Sequence, residues 1–85
     1  IYLNAKASSD LIKSNVIKGV GKTTTGIYLY NNVKVGKLVS NTLKKCKKYG
    51  VLIKKKCTVN RFGKSKYSGC KKKYLVKNSK VKKYV

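Results

Sequence analysis

The chain has 85 residues, of which 23 are lysine or arginine and one, Asp10, is acidic, giving a net charge of +22. A single carboxylate cannot neutralise that charge, so self-repulsion opposes compaction and the chain calls for a polyanion as partner. The length allows one domain with a small core. No apolar run approaches the ~18 residues of a membrane span, and the opening segment Ile1–Lys6 does not read as a secretory signal.

The charge is unevenly placed. Six lysines fall in the first 42 residues, whereas sixteen lysines and Arg61 lie from Leu43 onward. In chain order, Ser8-Ser9-Asp10 offers helix N-caps, and Ile12 and Val16 follow at helical spacing. Gly19 would stop that helix. Thr23-Thr24-Thr25 could cap a second helix carrying Ile27 and Tyr30 inward and ending near Asn31-Asn32. Val33 to Leu38 reads as an extended connector. Ser40 or Asn41 would then cap a third helix with Val39, Leu43 and Cys46 on one face, closed by Gly50.

Val51 to Phe62 fits either a strand or a helical face, because short apolar runs are not arbitrated by period alone. Beyond Gly63 no period is sustained, and no internal repeat is evident. The fold expected is mainly α: a small helical domain over 1–62 with a glycine turn between helices. An extended basic C-terminal tail over 63–85 follows, ordered by what it binds.

Gly19-Val20-Gly21-Lys22-Thr23 invites a nucleotide-binding reading, but Val16 stands where the phosphate-loop pattern needs glycine. Two readings remain for Gly19, Gly21 and Lys22. One is a phosphate-binding turn that opens a helix, the other a plain helix–helix turn. Cys46, Cys57 and Cys70 are odd in number and match no zinc pairing, so no metal site is expected and reduced thiols are. The chain has no histidine or glutamate, so no catalytic residues and no cofactor are expected. The lysine clusters interleaved with tyrosines suit nucleic acid, since tyrosines can stack on bases. The bias to Lys, Asn, Tyr and Ile points to an AT-rich genome such as that of an organelle.

Two stretches go further. Ile17-Lys18-Gly19-Val20-Gly21-Lys22-Thr23 resembles a segment near the start of small-subunit ribosomal protein thirteen, and Val33-Lys34-Val35 is similar to the sequence that follows it there. Asn60-Arg61-Phe62 is similar to the Lys-Arg-Leu that ends one of that family's helices. Tyr67-Ser68-Gly69, Lys71-Lys72-Lys73 and Tyr74 to Lys82 resemble its basic C-terminal extension, with lysine in place of arginine. The segment between Val35 and Asn60 is shorter than in the family, the glycines after its Leu-Pro-Val are absent, and the tail that would reach tRNA is largely missing.

The resemblance implies a helical protein in the head of the small ribosomal subunit of an organelle, with mitochondria the first choice and plastids the second. Its implied partners are small-subunit ribosomal RNA, neighbouring small-subunit protein nineteen and large-subunit protein five across the bridge. P-site tRNA is left open by the short tail, and no membrane partner is implied. Lys66, Lys71, Lys72, Lys73, Lys77, Lys80, Lys82 and Lys83 would contact phosphates, with Tyr67 and Asn78 embedded in RNA. The alternatives are a small basic helical DNA- or RNA-binding protein and a cationic membrane-active peptide.

Overall fold

A computed structural model describes residues 1–21 and 24–85, and among these there is no helix. Eleven short strands run in the order β1 (Tyr2–Asn4), β2 (Ser8–Lys13), β3 (Val16–Lys18), β4 (Thr25–Tyr30), β5 (Lys34–Val39), β6 (Thr42–Lys44), β7 (Tyr49–Lys54), β8 (Thr58–Gly63), β9 (Lys66–Ser68), β10 (Lys72–Lys77) and β11 (Lys80–Tyr84). They form three parallel sheets, β1-β4-β7-β10, β11-β8-β5-β2 and β3-β6-β9. We call these sheets A, B and C. The chain visits A, B and C in turn and then climbs one layer, so the fold is a three-sided parallel β-solenoid. Its extents are 27 × 22 × 17 Å.

The mainly helical expectation is therefore corrected, and the inward side chains explain why. Ile27 lies over Val51, Leu29 over Ile53, Val35 over Val59, Leu38 over Phe62 and Leu43 over Tyr67. Each pair is one coil apart, and together they give a sequence repeat of 24 residues that corrects the expectation of none. Within a coil, strands of three to six residues are broken by corners, so inward residues are spaced irregularly. Ile12 and Val16, the supposed helical pair, sit on different sheets, and Val16 faces solvent at 70% exposure. Ile27 and Leu29 are buried while Tyr28 and Tyr30 are not, an alternation of period two that only a strand produces.

Corners are made by left-handed residues. Asn31 and Asn32 (φ 73° and 62°) turn the chain from A to B, and Lys55 and Lys56 (φ 67° and 62°) do so one coil later. Ser14, Ser40 and Lys64 share a positive φ at the B-to-C corner. Asn41 was expected to cap a helix; instead it is 1% exposed and joins three coils at that corner. Its Oδ1 accepts from the backbone N–H of Asn15 at 3.0 Å and from Asn15 Nδ2 at 3.1 Å, and its Nδ2 donates to Ile12 O at 3.1 Å. Its own N–H donates to Ser65 Oγ at 3.1 Å. A buried amide is tolerated because its polar atoms are paired.

Two glycines are dictated by packing. A Cβ on Gly50 would lie 2.6 Å from Lys73 O and 2.6 Å from the Tyr67 ring, and one on Gly26 would lie 2.7 Å from Leu43 Cδ1. Gly50 was expected to close a helix; it enters β7 instead.

The basic tail is corrected as well. Residues 63–85 complete the last coil, with β10 paired to β7 and β11 to β8. The glycine turn likewise has no helices to join. Gly19 is buried after β3 and donates its N–H to Lys44 O at 2.7 Å, Gly21 is exposed, and the chain re-enters sheet A at Thr25. Lys22 lies outside the described residues.

The register makes a chemical prediction. Cys46 and Cys70 occupy equivalent places one coil apart, after β6 and β9, whose Lys44 and Ser68 are paired. Burial raises the Cys46 pKa, and the neighbouring Cys70 thiol adds to the rise. Adjacent coils are ~4.8 Å apart, within the ~4.4–6.8 Å that a disulfide spans. A diazene oxidant, which takes up the two electrons and two protons, is expected to link Cys46 to Cys70 and leave Cys57 unpaired. Peptide mapping that finds Cys57 in the cross-link would refute the register.

Candidate nucleic-acid interface

The solenoid turns its apolar residues inward and leaves its cations on the outside, where the register arranges them in columns. On sheet B, Lys37, Arg61 and Lys83 are partners in successive strands, and all three are exposed. A second column runs Ser8, Lys34, Thr58, Lys80. Between them a groove of about 520 Å³ is lined by Lys34, Lys80, Lys82, Thr58, Asn60 and Asp10 among others. A smaller hollow of about 200 Å³ at the B-to-C corner gathers Lys13, Lys37, Arg61 and Lys64.

This face thus holds eight cations, Lys13, Lys34, Lys37, Arg61, Lys64, Lys80, Lys82 and Lys83, beside the chain's one carboxylate. Like charges directly opposite on neighbouring strands destabilise a sheet. Two unit charges ~4 Å apart repel by ~1 kcal/mol even in water, less where long side chains splay. The Lys37–Arg61–Lys83 column therefore costs stability in the free protein, and a row of anions laid along it would remove that cost.

The residues expected to touch RNA divide into groups. Lys80, Lys82 and Lys83 lie together on β11 and belong to this face. Lys77 and Asn78 stand at the adjoining A-to-B corner, both exposed, with Asn78 at φ 49°. Lys72 and Lys73 open β10 on sheet A, Lys71 lies in the turn before it, and Lys66 is on sheet C, so these four are exposed but apart from the groove. Tyr67 is half-buried: its ring packs against the core, and burial pushes its pKa up to about 12.

Sequence reasoning missed Lys13, Lys34, Lys37, Arg61 and Lys64, which fall outside the long lysine clusters. The signal available was their spacing, since Lys37 and Arg61 are 24 residues apart, as are Val35 and Val59 beside them.

Among the described residues no three side chains of the metal-ligating kinds come together. Compared with known protein families, curated proteins and solved structures, the chain matches none.

Proposed function

We propose that the protein binds RNA through phosphate contacts, using sheet B of the solenoid as a rigid basic face. The observation that carries this reading is the in-register column Lys37–Arg61–Lys83 beside the Lys34–Lys80–Lys82 groove, with Asp10 as the one acid nearby. Strands fix the height and the face from which each cationic side chain leaves the backbone, so little backbone entropy is lost when a polyanion binds. Contacts of this kind position a nucleic acid without reading its sequence.

The resemblance to small-subunit ribosomal protein thirteen implied a helical body that the chain does not have. The RNA reading therefore stands on the charge and its arrangement and not on that family. Among the described residues there is likewise no amphipathic helix of the kind a membrane-active peptide would need.

The test is a salt titration of binding to a short labelled single-stranded RNA. Log affinity is expected to fall linearly with log salt, by ~0.7 for each phosphate neutralised. A flat salt dependence, or tighter binding to a sulfated polysaccharide of equal charge, would overturn the proposal. A second arm follows the protein through a high-salt wash of small ribosomal subunits. Retention there would support the ribosomal form of the RNA reading, and complete loss would sink that form alone.

A further inference from the structure

Resting on the RNA reading, we propose that sheet A carries a base-stacking site, so that the ligand is a single strand and not a duplex. The outward column of β1 and β4 begins with Tyr2 over Tyr28, ring centroids 5.1 Å apart, and Tyr30 lies 5.7 Å from Tyr28 on the same strand. These rings contribute nothing to the core, which lies on the other side of the sheet with Ile27 and Leu29. Tyr2 is 57% exposed. Lys54 Nζ and Lys55 Nζ lie over the Tyr30 ring, 5.7 Å and 5.4 Å from its centre, so a base stacking there displaces these long side chains toward its own phosphates.

The patch is continuous with the basic face. A hollow of about 210 Å³ lined by Tyr30, Lys54, Lys55, Lys77 and Asn78 shares Asn78 with the next hollow, which holds Lys56 and Lys80. That one shares Thr58 and Lys80 with the sheet B groove. A strand could therefore lie with phosphates in the groove, cross the A-to-B corner over lysines and set bases on Tyr30 and Tyr28. Single-strand binders need these two parts together, a cationic track and adjoining aromatic faces. A duplex would satisfy only the first, because its bases are stacked on one another and its deep groove is closed to side chains.

The test compares oligouridylate with an abasic strand of the same length and with an RNA duplex. The chain has seven tyrosines and no tryptophan, so its emission is that of tyrosine, and the part of the quenching that is lost when Tyr28 and Tyr30 are replaced reports stacking on them. Wild type is expected to bind oligouridylate about tenfold or more tighter than the abasic strand, with quenching. Tyr28→Leu with Tyr30→Leu keeps apolar, strand-compatible side chains at outward positions. It should abolish that preference while leaving abasic binding and its salt slope unchanged. Circular dichroism of the variant checks that the strands persist. Equal binding of uridylate and abasic strands by wild type, or equal binding of the duplex, would overturn the stacking site and leave the charge reading intact. Failure of every strand to bind would remove the RNA reading itself.

Discussion

Replacing Lys37, Arg61 and Lys83 together by glutamine is expected to weaken binding to single-stranded RNA by about two orders of magnitude near 0.1 M salt. Each phosphate contact contributes ~0.7 to the salt exponent, which is roughly fivefold at a tenth of molar salt relative to 1 M. Three such contacts multiply to ~100-fold, and the slope should become shallower by ~2. Wild type and variant should converge as salt approaches 1 M. The loss cannot be assigned to unfolding, because removing the stacked like charges relieves repulsion, and the denaturation midpoint should hold or rise. The control is Lys18→Gln, Lys44→Gln and Lys47→Gln, which removes the same net charge from sheet C and the turn after it. If the control weakens binding equally, bare charge and not the sheet B column governs affinity, and the proposed face fails.

The charge is legible in the composition, and so is the crowding of Lys80, Lys82 and Lys83 that the structure places on one face. The fold is not legible there. A three-sided coil spaces its inward residues by the lengths of strands and corners, so Val33, Val35 and Leu38 mix steps of two and three. Such steps imitate a helix over a short window, whereas the true period of 24 shows only when whole coils are compared. The corners hide that period further. Asn31-Asn32 announces a left-handed turn by residue type, but one coil later Lys55-Lys56 takes the same conformation and reads as part of a basic run. Ser40 is matched by Lys64 in the same way. The coil lengths also drift, since Tyr2 pairs with Tyr28 across 26 residues while Lys80 pairs with Thr58 across 22. The stacking patch is half legible: tyrosines among lysines suggest base contact, but only the register shows that Tyr28 and Tyr30 face out and Tyr67 faces in.

Phe62→Ala is expected to be the most damaging single substitution, through the last coil. Phe62 is 1% exposed and packs edge-on to Tyr74 at 5.0 Å and to Tyr84 at 5.9 Å, one ring from each of the two long strands above it. Truncating a buried phenylalanine costs ~3–5 kcal/mol. A chain of this size has about 4–13 kcal/mol in total. Among the described residues β10 and β11 are each paired on one side only, so the lost packing should be felt there before the inner coils open. Hydrogen exchange should show wild type protected beyond residue 64 in the free protein, as a stacked coil requires. In the variant, protection should collapse first over 66–85 and later over β4 and β7. RNA affinity should fall with it, because Lys80, Lys82 and Lys83 keep their places in the groove only while β11 stays on β8. Saturating RNA should then restore protection to that coil, by ~2.7 kcal/mol at a hundredfold excess over Kd. Phe62→Leu, which keeps most of the volume, should show the same order of events at a fraction of the size. Exchange that rises uniformly over all coils, or affinity that survives the loss of the last one, would show that the basic face does not depend on the stacked coils.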